Sequence, residues 1–183
     1  MSWVLSPVFF RQLVRVTIFA GVCLSATSVH ARIKSERLLA AILQQTPESV
    51  LVLGGGQWKQ AEQAAAGIPG AMAFFGAGAS MEPLFTHGTA IVVAPIAFRD
   101  LKKGMTVVYV SSSGRMVAHP ITGDVPKGWI AQGMNNDEED DDLVTKENIV
   151  GVVVQAFSEM PSSFRVALTN ELVAKGRLSP GRS

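Results

Sequence analysis

Ser80 stands in Gly-Ala-Gly-Ala-Ser-Met-Glu-Pro-Leu-Phe, residues 76–85, with small residues before it and a Met-Glu-Pro turn after it. A hydroxyl set among residues with almost no side chain is accessible from both sides, which suits a nucleophile attacking a carbonyl. Glycines at 76 and 78 let backbone N–H groups approach a substrate closely, as an oxyanion hole requires. The structural alternative is a Gly/Ala-rich loop in which Ser80 caps or turns the chain.

A serine nucleophile needs a base. Outside the first 31 residues the chain has two histidines, His87 and His119. His87, in Thr-His-Gly, reads as part of an exposed turn. His119 lies in Val-Ala-His-Pro, where alternation puts Arg115, Val117, His119 and Ile121 on one face of a strand. That face points inward, where a histidine serves either as a base or as a core residue hydrogen-bonded to backbone. Residues 137–142 are six consecutive acids, which repel one another and favour a solvated loop. Carboxylates suit calcium, but the run lacks the spaced ligands and glycine of a calcium loop. No metal or other cofactor is expected.

The elements that must position these groups follow from periodicity. Leu38, Leu39, Ile42 and Leu43 predict a helix over 33–45, ended by Thr46-Pro47. Val50 to Leu53 reads as a short buried strand. Gly54-Gly55-Gly56 then opens a helix over 57–66, stopped at Gly67. Strand, glycines and helix can cradle phosphate, but neither a P-loop Lys-Ser/Thr pair nor dinucleotide spacing follows. From Thr89 the pattern is β: strands are expected at 90–95, 106–110, 115–121, 128–132 and 149–157, the last with Gly151 early in it. Pro161 then opens an amphipathic helix to 175 with Phe164, Leu168 and Leu172 on one face.

A chain of 183 residues, 48% hydrophobic, is long enough for one domain with a real core. Its net charge of +1 supplies no basic field, so a nucleic-acid partner is not expected. Cys23 is the single cysteine, which excludes intrachain disulfides. Arg11 and Arg15, an uncharged apolar run from Val16 to Val29, and Val29-His30-Ala31 together read as an export signal over 1–31, cut after Ala31. The apolar run is shorter than the roughly 20 residues of a membrane span. An uncleaved amino-terminal anchor is the alternative, with membrane association through that segment. Cleavage would leave 14 basic and 15 acidic residues, a net −1.

The order of these pieces (Ser-Met-x-Pro, a turn with Gly104, a hydrophobic strand carrying His119, then Gly133, Asn135 and Asn136 with acids close by) resembles the type I signal peptidase family over about residues 74–156. Those are serine endopeptidases that remove leader peptides. Many use a Ser–Lys dyad; histidine at 119 resembles the Ser–His branch typical of archaea and the endoplasmic reticulum.

The resemblance implies Ser80 as nucleophile, His119 as base and a supporting acid, for which Asp140 is best spaced, with Asp137 and Asp141 near it. It implies an oxyanion held by backbone N–H groups at Gly78, Ser80 and Met81, and a peptide or exported-protein substrate cut after small residues. Departures are Gly78 in place of a hydroxyl residue, Leu84 for a threonine, Met105 and Met134 for aspartates, and Pro120 for an arginine. The implied fold is mainly β with peripheral helices, a β-barrel catalytic domain shared with the self-cleaving repressors. The expected layout is an export signal 1–31, a lead-in 32–73, a β-rich domain 74–157 and a carboxy-terminal helix and tail 158–183. The other function class consistent with the departures is a binding or scaffold protein that keeps the fold without catalysis.

Overall fold

The computed structural model describes residues 35–161 and, beyond them, positions 163, 166, 167, 170, 171, 174 and 175. The export signal expected over 1–31 and its cleavage site lie outside the described residues. Arg32–Ser183 forms one compact unit. Two helices, α1 (Glu36–Gln45) and α2 (Gln57–Ala66), accompany seven strands: β1 (Ser49–Val52), β2 (Met72–Phe75), β3 (Ala90–Ala94), β4 (Thr106–Val110), β5 (Met116–Val125), β6 (Gly128–Ala131) and β7 (Ile149–Glu159). The class is mainly β. The described positions from 163 to 174 are helical and exposed, in the stretch where a carboxy-terminal helix is expected.

All seven strands join one sheet in the order β2-β3-β7-β4-β5-β6, and β1 pairs with β7 beside this path. Every pairing is antiparallel except β1 with β7. The long strands change partners along their length. β5 pairs with β4 through Met116–Pro120 and with β6 from Ile121 onward. The register shifts at Val92/Val93, Val108/Tyr109 and Ile121/Gly123. Such irregularities bend a strand and increase its twist, and the sheet curls accordingly.

Side-chain alternation sorts the apolar residues into separate packing layers. On β3, Ile91 and Val93 enter a cluster with Met81, Phe85, Val108, Val153 and Ala156, while Ala90 and Val92 face α2. Ala61 and Ala65, one turn apart, let α2 lie close to Val92 and Phe157. On β4, Val107 and Tyr109 enter a third cluster with Leu101, Ile121, Ala131 and Val144. Each buried Val or Ile contributes about 1.5–3 kcal/mol of transfer free energy.

Helix α1 is held by its end. Thr46 Oγ1 lies 2.8 Å from Thr106 Oγ1 at the start of β4. A Cβ on Gly104 (φ +92°) would stand 2.6 Å from the Ala41 backbone. Only glycine permits that approach and that backbone angle.

Two expectations need correction. β1 is not a buried strand: Val50 and Leu51 are 56% and 48% exposed. Its parallel place beside the end of β7 leaves both side-chain faces partly in solvent. Met72–Phe75, for which no element is expected, is a strand paired with β3. The stretch on either side of residue 74 therefore belongs to one strand, and the lead-in shares the sheet.

Candidate active site

Ser80 opens the turn that follows β2. Its local frame is built by Glu82 N–H donating to Ala79 O at 3.1 Å and by Leu84 and Phe85 N–H donating to Met81 O at 2.9 and 3.1 Å. The Glu82–Pro83 peptide is cis. Met81 and Phe85 anchor this turn in the apolar cluster, and Leu84 and Met134 pack against it. The other side of the turn is clamped by the loop after β6. Asn135 N–H donates to Ser80 O at 2.8 Å, and Asn135 Nδ2 donates to Ala79 O at 3.1 Å.

His119 is on β5, paired opposite Val107 of β4, and is 7% exposed. Its Nε2 is 2.9 Å from Ser80 Oγ. Its Nδ1 is 2.7 Å from Asp140 Oδ2. Asp140 is tied to the sheet by its own N–H, which donates to Ala131 O at 2.8 Å. The neighbouring acids Asp137, Glu138, Glu139 and Asp141 are exposed, as expected of a like-charged run. Asp140 turns inward, and its side chain is 14% exposed.

The tautomer follows from this network. An ionised carboxylate only accepts, so Nδ1 carries the proton and donates to Asp140. In the neutral ring Nε2 is then the acceptor for the Ser80 hydroxyl. The line from serine to imidazole to carboxylate has the connectivity of a nucleophile, its base and the group that orients the base.

A fourth residue, absent from the sequence reading, completes the line. Tyr109 OH donates to the same Asp140 Oδ2 at 2.7 Å. Tyr109 is 1% exposed. Burial first, then the hydrogen bond to Asp140 and the charges of Asp140 and Asp142, hold its phenol protonated well above the usual tyrosine range. The available signal was a lone tyrosine on an apolar strand, whose buried hydroxyl needs a partner.

The oxyanion donors divide. Gly78 N–H points at His87 Nδ1 at 3.4 Å. His87 is exposed, as its Thr-His-Gly setting suggests. Among the described residues, the N–H groups of Ser80 and Met81 donate to no protein carbonyl. Both residues line the same groove as His119.

A groove of about 470 Å³ runs to the Ser80–His119 pair. Phe74, Met81, Phe85, Ile91, Val117 and Ala118 give it an apolar lining. Two of its walls are unpaired strand edges: β2 ends the sheet, and β5 from Met116 to His119 pairs with β4 on one side only. No cluster of His, Cys, Asp and Glu suited to a metal occurs among the described residues, and none of their helices is long and apolar enough to cross a membrane.

No protein-family model matches the chain, and no curated protein matches it.

Proposed function

We propose that the protein is a serine endopeptidase of the signal-peptidase type, acting on exported proteins or peptides with Ser80, His119 and Asp140. The observation that carries this is the hydrogen-bonded line from Ser80 Oγ through His119 to Asp140, opening onto an apolar groove. The curled, mainly antiparallel sheet and the order of Ser80, Gly104, His119 and Gly133-x-Asn135-Asn136 support a fold of the signal-peptidase and self-cleaving-repressor kind.

In the reaction, His119 Nε2 takes the Ser80 proton as Oγ attacks the scissile carbonyl. Asp140 stabilises the imidazolium that forms and keeps the ring oriented. The tetrahedral oxyanion is held by the N–H groups of Ser80 and Met81. His119 then gives its proton to the leaving amine. Water, activated by the same imidazole, releases the acyl group from Ser80. An extended peptide pairs its backbone with an unpaired strand edge and presents alternate side chains to the groove. The preference for small residues before the cut follows from the family resemblance.

The second reading, a peptide-binding protein without turnover, is favoured by Gly78. It brings no hydroxyl to the oxyanion, and its N–H is directed at His87. Loss of one oxyanion donor raises the barrier by about 2.7–4 kcal/mol. Purified residues 32–183 incubated with small-x-small peptides separate the two. Cleavage that is lost in Ser80→Ala supports the peptidase, whereas binding without cleavage by folded wild type supports the binding protein.

A further inference from the structure

We propose that Tyr109 is a positioning residue of this site: its hydroxyl shares the Asp140 oxygen that faces His119 and so tempers the pull of that carboxylate on the imidazole. The inference rests on the catalytic reading above for its functional meaning and on the geometry alone for the coupling itself.

Five acids other than Asp140 occupy the run 137–142, three of them aspartates like it. What distinguishes Asp140 is a buried donor aimed at it. Tyr109 comes from β4, with its ring in the cluster of Leu101, Val107, Ile121, Ala131 and Val144. That packing leaves the hydroxyl little freedom, and a buried phenol without an acceptor would carry the full cost of desolvation. Its acceptor is Asp140 Oδ2, at 2.7 Å, the oxygen that also faces His119 Nδ1 at 2.7 Å. One carboxylate oxygen thus accepts from both donors. Asp142 is engaged elsewhere, accepting from Ser112 N and Oγ at 2.9 and 3.0 Å.

Two donors on one oxygen share its charge. With the phenol present, less of that charge acts on the imidazolium, so His119 returns its proton more readily. The titratable groups facing the imidazole are Asp140 and, behind it, Tyr109; Asp140 and Asp142 are the charges facing the phenol. Removing the hydroxyl leaves Asp140 pinned through its backbone to Ala131, still in reach of His119 and with its charge undivided.

The test uses the full-length chain in detergent. Histidine NMR titrations are recorded for wild type and Tyr109→Phe, with the His119 resonance assigned by its loss in His119→Ala. The His119 midpoint should rise by about half a pH unit or more in Tyr109→Phe. The acid limb of the pH–rate profile should move up with it, and kcat at neutral pH should fall a few-fold with KM little changed. An unchanged or lowered His119 midpoint overturns the proposal.

A second measurement leaves Tyr109 intact. Because the chain has one tyrosine, tyrosinate absorbance reads Tyr109 alone, and in Asp140→Asn it should develop at lower pH than in wild type. An unchanged onset also overturns the proposal. Shifted titrations in a wild type that cleaves no peptide would end the peptidase reading and leave the Tyr109–Asp140–His119 coupling standing. Cleavage without those shifts would do the reverse.

Discussion

Asn135 donates its backbone N–H to the carbonyl oxygen of Ser80 at 2.8 Å, which joins the turn that carries Ser80 to the loop that carries Asp140. Gly133 makes this junction possible. A Cβ there would stand 2.8 Å from Ser80 O and 2.8 Å from Asn136 Nδ2. Gly133→Ala should therefore push the Ser80 turn away from His119. Overpacking of this kind costs about 1–3 kcal/mol in stability. Turnover should fall further than stability does, by on the order of 10²-fold, since small misplacements of reacting groups are that costly. Thermal unfolding and peptide cleavage on the same preparation check this; wild-type turnover would mean that the junction does not position Ser80.

Ser80 and His119 should behave as one unit. Ser80→Ala and His119→Ala should each reduce turnover by on the order of 10⁴-fold or more, and the double variant should be little worse than either. Asp140→Asn should weaken turnover with the circular dichroism spectrum unchanged. Lowering the pH until His119 is protonated should abolish activity, because imidazolium accepts no proton from serine. His87→Ala should leave turnover near wild type, since the 3.4 Å contact it removes is exposed and lies on the Gly78 N–H. Additive losses at Ser80 and His119 would show that they act separately.

The buried phenol makes an alkaline prediction. In the unfolded chain Tyr109 ionises near pH 10, while in the folded protein burial and Asp140 keep it protonated beyond that. Above pH 10 the folded state therefore holds a proton that the unfolded state has released, so stability falls as pH rises. The contribution is at most about 1.4 kcal/mol per pH unit. Urea midpoints from pH 8 to 11 should fall more steeply for wild type than for Tyr109→Phe. Parallel curves would contradict the assignment of the raised phenol.

Much of this arrangement is local in the sequence, and the part that is not depends on strand pairing. The glycines around Gln57–Ala66 delimit α2, and alternation around His119 puts it on an inward face, because both are set within a few residues. Asp140 could be ranked by spacing but not distinguished from its neighbours, since the groups that hold it inward, the Tyr109 hydroxyl, the His119 ring and the Ala131 carbonyl, come from three separate strands. Tyr109 itself reads as one more apolar residue in Thr-Val-Val-Tyr-Val until β4 is registered against β5 and the acidic loop folds over them. β5, expected to end at Ile121, runs on to Val125 through the irregularity at Ile121/Gly123, where it changes partner. Met72–Phe75 is obscured by the small residues that follow it, which read as loop on both sides.

The most direct measurement is covalent labelling of residues 32–183, which form one compact unit, with a serine-directed acylating probe followed by peptide mapping. The account predicts a single adduct, on Ser80, that forms more slowly as pH falls, is nearly absent in His119→Ala and is undiminished in His87→Ala. Folded wild type that leaves Ser80 unmodified, or labelling of Ser80 that is as fast without His119 as with it, would contradict the account.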